Sequence, residues 1–297
     1  MTISIIQGTE WTNPIDMVKE SIDKLGGISL FINSGSKVLI KPNLCWMKQP
    51  ETGTTTDPRV VEGILQLIKP LTDNIAIIES QVQGGIQPEH VCKLCGYYDL
   101  FDRYGVELIN LSRSKKIPWE WATNQRPIYM PEILFQDYLI INVPKFKAHE
   151  LCYFTCALKN LFGLIPDKYR MKYHQQLGDL VAELNKAFPS VLTVVDGLVG
   201  MEGPGSPTRG TPVPMNLIIA GQSSLEVDLV VSKMIGVNPL RVSYIRKMGL
   251  CECNVIGRVP KIRFNIPQKN LKMGLLKHLE SSSIGAHLLN LYHRWVR

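Results

Sequence analysis

Between Val143 and Glu150 the chain reads VPKFKAHE, so Lys145, Lys147, His149 and Glu150 follow directly on the apolar run DYLIIN. Two ammonium groups beside an imidazole and a carboxylate can hold an anion and move a proton. The basic character continues through Lys159, Lys168, Arg170 and Lys172 to His174, with few acids alongside. Like charges packed this densely repel unless water or an anion lies among them. An imidazole near several ammonium groups is expected to be held neutral, the form suited to general base work. His149 and His174 are therefore candidate proton carriers, with Lys145 beside them. Lys147, Lys159 and Arg170 are candidate anion ligands.

Two other stretches could contribute. KPNLCW, starting at Lys41, is followed by TGTTTDP, where Gly53 frees the backbone and Thr54 to Thr56 offer hydroxyls before a helix start at Pro58. With Lys41, that helix start could cradle a phosphate or carboxylate, although a capping role for Thr56 or Asp57 explains the residues equally well. VVDGLVGMEG supplies Asp196 and Glu202, two carboxylates that could bind a divalent metal or divide acid and base roles. An Asp before Gly also commonly caps its own turn.

The elements that must position these groups show in the apolar pattern. KVLIK, NIAIIE, GVELINL and DYLIINV read as buried strands, separated by an amphipathic helix over DPRVVEGILQLIKP and another over Glu89 to Tyr104. This alternation predicts an α/β fold, a mostly parallel sheet covered by helices. Further on, LGDLVAELNKAF reads as a helix, SVLTVVDG and PMNLIIAG as strands, and SSLEVDLVVSKMIG as a helix. Ser223 and Glu226 form a capping-box signature there, and Gly236 is a stop. The Gly- and Pro-rich stretch DGLVGMEGPGSPTRGTPVP is expected to be a long functional loop. In such sheets ligands gather beyond the carboxyl ends of the strands, where all three chemical stretches fall.

The 297 residues, 45% hydrophobic and 20% charged, suit a soluble enzyme. Lysine and arginine number 33 against 26 acids, which favours an anionic partner. No membrane-spanning run or secretory leader is apparent, and seven scattered cysteines favour reduced thiols, so a cytoplasmic setting is expected. G-x-G-x-x-G follows no predicted strand and no Walker A loop is present, which disfavours classical NAD and nucleotide binding. Nucleic-acid motifs are absent and aromatic content is only 8%, which disfavours that partner. The cysteine spacings match neither a ferredoxin run nor a zinc ribbon, leaving a cluster assembled from distant cysteines as an alternative. A core domain over 1–257 gives way to a basic extension over 258–297. The extension holds two amphipathic runs and half of the six histidines, a helical pair able to dock on the core or touch a membrane surface.

VLIKPN, TTDPRVVEG, IINVPKFKAH, ALKNLFGLIP, VVDGLVGMEG and VDLVVSKMIG occur in the order and approximate spacing of the domain of unknown function 362 family, which this chain resembles from about Lys37 to Gly236. The resemblance implies roles for Lys41, Asn43, Thr56, Asp57, Lys145, Lys147, His149, Lys159, Asn160, Arg170 and His174. It adds Asp196, Glu202, Gly203 and Asp228. It also implies a redox association, since many members resemble ferredoxin fusions or iron-sulfur proteins. Two departures stand out. Ala148 replaces the threonine of the usual K-x-K-T-H, and the ferredoxin-like cysteine run is missing. The function expected from all this is an enzyme acting on a small carboxylate- or phosphate-bearing substrate, by reduction with an external donor or by proton transfer. The alternatives are an iron-sulfur or flavin-linked electron-transfer protein, or a nonenzymatic binder of nucleic acid or acidic membrane.

Overall fold

A computed structural model describes residues 2–82, 85–122, 125–204, 206 and 209–267. In chain order the elements are β1 (Thr2–Gln7), α1 (Pro14–Asp23), β2 (Val38–Pro42), α2 (Pro58–Ile68), β3 (Ile75–Glu79), α3 (Pro88–Leu94), α4 (Tyr97–Tyr104), β4 (Glu107–Asn110), β5 (Lys116–Trp119) and β6 (Ile128–Pro131). Then come β7 (Leu139–Val143), β8 (Lys145–His149), β9 (Tyr153–Thr155), α5 (Ala157–Asn160), α6 (Leu177–Ala187), β10 (Ser190–Glu202), β11 (Thr211–Gly221), α7 (Ser224–Met234), α8 (Ser243–Met248) and β12 (Asn254–Ile256).

Ten of these strands form one sheet in the order β12-β1-β11-β10-β7-β2-β3-β4, with β8 pairing β10 and β9. The run from β10 through β7, β2 and β3 to β4 is parallel, as the alternation of strand and helix predicts, while β11 lies antiparallel to both of its neighbours. Because side chains alternate along a strand, the sheet feeds two cores. Val38, Ile40 and Ile77 face the layer of α1, α2 and α4; Leu39, Ile78 and Ile140 face that of α5, α6 and α7. Each such Val, Leu or Ile stabilises by about 1.5–3 kcal/mol when fully buried.

Three sequence readings need correction. The helix expected over Glu89 to Tyr104 is two, divided at Gly96, whose φ of 78° a side-chain-bearing residue adopts poorly. The expected loop after Asp196 is a β-ribbon: β10 runs on to Glu202 and pairs with β11 through a register shift between Gly197 and Val199. Pro212 and Pro214 are tolerated because β1 pairs only with Leu217 to Gly221, leaving that part of β11 bonded on one side.

The third correction concerns Lys145 to His149, read as lying beyond a strand end, which form a strand of their own, β8. After Pro144 the chain resumes beside the second half of β10, pairing Lys145 with Asp196 and Lys147 with Met201. It therefore projects past β2, which ends at Pro42. Phe146 and Ala148 turn into the core, while Lys145, Lys147 and His149 share the opposite face.

The segment after β12 lies against the body of the protein. Phe264 stacks on Phe146 with ring centroids 4.6 Å apart, and the Ile262 N–H donates to the Met234 carbonyl at 2.8 Å. The amphipathic runs read in the basic extension fall beyond Pro267, outside the described residues. No helix among the described residues is long and apolar enough to cross a membrane.

Candidate functional site: a cationic cavity at the strand ends

A cavity of ≈ 430 Å³ opens beyond the carboxyl ends of β2 and β3, walled by β8 and by the segment from Lys159 to His174. Six cationic side chains line it, from Lys41, Lys147, Lys159, Lys168, Arg170 and Arg209, against two carboxylates, Glu79 and Glu150. Of the residues singled out in the sequence, Lys41, Asn43, Lys147, His149, Lys159, Asn160, Arg170 and His174 meet here. Lys145, Thr56, Asp196 and Glu202 do not.

Lys41 leaves β2 and is sealed from solvent. Its Nζ donates to Glu79 Oε2 and to the Pro42 carbonyl, both at 2.7 Å. Burial pushes its ammonium down from the ordinary lysine range, and Glu79 opposes that. Glu79 also accepts from the Leu44 and Ser80 backbone N–H groups, so its carboxylate is fully occupied. Gly163 lets the chain pass close by: a Cβ there would lie 2.9 Å from Lys41 Nζ.

Lys147 is 2% exposed and bonded on three sides, to Asn43 Oδ1 at 2.5 Å, the Thr54 carbonyl at 2.8 Å and Cys45 Sγ at 3.0 Å. Asn43 Nδ2 donates to Asn160 Oδ1, and Asn160 in turn donates to the Lys41 carbonyl and to Asn142. This amide chain ties β2, β7 and α5 together beneath the cavity. Arg170 donates to the carbonyls of Gln81, Gly163 and Ile165. Lys159 lies over the Phe162 ring, 5.7 Å from its centroid. Burial lowers the Lys159 ammonium from its ordinary range, and Lys147 and Arg170 add to that. Burial likewise lowers Arg170.

The imidazoles of His149 and His174 stack with centroids 6.4 Å apart and planes 15° from parallel. His149 Nδ1 accepts the Leu151 N–H at 3.1 Å, so a neutral ring carries its proton on Nε2. Both imidazoles, expected from the sequence to carry protons, line the cavity. His174 packs edge-on against Phe162 at 5.4 Å.

The remaining candidates lie outside the cavity lining. Lys145 and Asp196 form an ion pair at 2.8 Å, and Asp196 also accepts the Asp57 and Leu198 N–H groups. Burial raises the Asp196 carboxyl above its ordinary range, against the pull of Lys145. Neither residue lines the cavity, and the pair joins β8, β10 and the start of α2. The anion cradle expected at that helix start is filled by the protein itself, since Asp196 takes the Asp57 N–H and Asp57 caps Arg59. Thr56 Oγ1 accepts from Asn43 N and donates to the Val143 carbonyl. Glu202 accepts the Asn265 N–H at 2.7 Å and holds the segment after β12. Asp196 and Glu202 therefore do not form a shared metal site. Among the described residues no three His, Cys, Asp or Glu side chains converge as ligands.

Sequence reasoning missed Glu79, Cys45 and Arg209. Glu79 had a signal, a carboxylate closing the apolar run NIAIIE. Cys45 and Arg209 had none.

The model of the domain of unknown function family DUF362 matches residues 38–233. The chain belongs to that family. All the cavity-lining residues from Lys41 to Arg209 lie within the matched DUF362 region. A related protein, thylakoid-associated protein sll1697 of Synechocystis sp., is 26% identical over 228 residues, 74% of this chain and 70% of its own. Among solved structures, the lactate racemase apoprotein of Thermoanaerobacterium thermosaccharolyticum aligns at a TM-score of 0.48 with 12% identity over 77% of this chain. A protein from Thermotoga maritima aligns at 0.39, also with 12% identity, over 74%. This chain spans 56% and 58% of those two solved chains. Ala148, at the usual DUF362 threonine position, faces the core, so the missing hydroxyl takes nothing from the cavity wall.

Proposed function

We propose that the protein is an enzyme that binds a small carboxylate- or phosphate-bearing substrate in the cationic cavity and moves a proton on it with His149 and His174. The observation that carries this reading is the state of Lys147, Lys159 and Arg170. Among the described residues none of the three is paired with a carboxylate, and Lys147 and Arg170 are held by uncharged oxygens and a thiol sulfur. Lys147 is buried and Lys159 and Arg170 are partly so, and cations held this way without counter-charge are costly; an incoming anion supplies that counter-charge. The volume suits a small molecule.

Lys147 and Arg170 are fixed by their protein bonds and act as preorganised positive charge where negative charge collects on the substrate. The His149 Nε2–H donates to a substrate oxygen, and His174 accepts the proton released. No external oxidant or reductant enters this scheme. The reduced cysteines, all seven free, fit a cytoplasmic setting. A screen of the full chain by thermal shift against small carboxylates and phosphates tests the reading. Stabilisation by at least one class, weakened by salt, is expected; indifference to both classes overturns it.

A peripheral membrane contact is a second reading, favoured by the name of the thylakoid-associated relative and the basic residues beyond Pro267. Sedimentation with phosphatidylserine vesicles, with and without residues 268–297, tests it. Equal sedimentation of both forms rules the tail out.

A further inference from the structure

We propose that Lys159 is a nucleophile that forms an imine with the carbonyl carbon of a small 2-oxo acid held in the cavity. The proposal deepens the anion-binding reading above and rests on it. Its basis is a contrast among the cavity amines. Lys41 is locked to Glu79 and the Pro42 carbonyl, and all three protons of Lys147 have acceptors. Lys168 lies exposed at the mouth against Tyr169, 4.8 Å from its ring centroid. Lys159 alone combines a place on the cavity wall, a partly buried stem over Phe162 and no hydrogen-bond acceptor among the described residues. An amine with no acceptor has its lone pair available once it loses a proton.

The frame holds that amine in place. Lys159 sits in α5, whose first two N–H groups donate to the Asp228 carboxylate at 2.8 and 3.1 Å. The next residue, Asn160, is anchored to the Lys41 carbonyl and Asn142. The groups whose charge bears on Lys159 are Lys147, Arg170, Cys45 and Cys152; the two cations disfavour its protonated form, as burial does more strongly. A desolvated lysine beside other cations is the arrangement that makes an amine nucleophilic at neutral pH.

Those two cations also define the substrate. They line the same cavity as the amine, and a molecule that carries a carbonyl carbon beside a carboxylate, a 2-oxo acid, can offer its charge to them and its carbon to Lys159. In the step, the neutral amine attacks the carbonyl carbon, and C=N replaces C=O. The two nitrogen-bound hydrogens leave with the carbonyl oxygen as water, and no electrons are gained or lost. His149 lines the same cavity as Lys159.

The test is to incubate the full chain with pyruvate and sodium borohydride, which reduces the C=N bond to a stable amine, and to map the adduct by peptide mass spectrometry. Inorganic phosphate binding is measured in parallel by calorimetry. The expected result is one reduced pyruvate on Lys159, abolished by Lys159→Arg and retained by Lys115→Met, a change in an exposed surface pair with Glu132 outside the cavity. Acetone, which lacks the carboxylate, should label about tenfold less or worse. Phosphate binding without any pyruvate adduct, or an adduct on another lysine, overturns the imine and leaves the anion site standing. Failure of both phosphate and pyruvate to bind removes the anion reading and this proposal together. Mapping in the unmodified protein decides the matter even if Lys159→Arg fails to fold.

Discussion

Lys145 Nζ lies 2.8 Å from Asp196 Oδ2, and neither side chain is more than 1% exposed. Two groups that looked chemical in the sequence thus neutralise each other beneath the cavity. Asp196→Ala strands the Lys145 charge and the Asp57 N–H, so a loss of about 3–5 kcal/mol in chemical denaturation is expected. Loss of ligand binding with unchanged stability would instead return the pair to the active site.

Lys147→Met removes a cation fixed by Asn43, Thr54 and Cys45. Affinity for a small anion such as phosphate should fall by about tenfold to a hundredfold, the effect of removing one fixed, poorly solvated charge near the anion. Titration calorimetry measures it; undiminished affinity would show that the anion sits elsewhere.

Gly163→Ala places a Cβ 2.9 Å from Lys41 Nζ and 3.1 Å from Glu79 Oε1. Displacing that buried pair is expected to cost about 1–3 kcal/mol. Unchanged unfolding would mean the segment yields without disturbing the pair.

Asp228 gives a pH signature. Burial pushes its carboxyl from 3.8 up to about 7, with the Ala157 and Leu158 N–H groups opposing. Between those values the native chain binds more protons than the unfolded one, so stability from this group is full below 3.8 and is lost as pH rises through about 7. The thermal midpoint of the native protein relative to Asp228→Asn should therefore decline as pH is raised over that window. A rise would contradict the assignment.

The parallel strands were legible because KVLIK, NIAIIE and DYLIINV are short apolar runs split by an amphipathic helix with Pro58 at its first position. The β10–β11 ribbon was not, because Gly197, Gly200, Pro212 and Pro214 carry turn chemistry that only a bulge and a half-paired strand reconcile with a sheet. At β8 the alternation K-F-K-A-H was itself a strand pattern, obscured by its charges. Cavity membership was partly legible, since Lys41, Lys147, His149, Lys159 and Arg170 meet as strand exits should. Which charges neutralise one another was not. Lys145 and Lys147 are two residues apart in one strand, yet one meets Asp196 and the other meets none of the described carboxylates. Only the register of β8 against β10 decides that.

The central claim is that Lys147, Lys159 and Arg170 form an anion site. Titration calorimetry of inorganic phosphate into the full chain, at low and high salt and in Lys159→Met and Arg170→Met, tests it most directly. The account predicts one saturable site, weakened by salt and lost or strongly weakened in both variants. No binding, or binding unchanged in both, would contradict it.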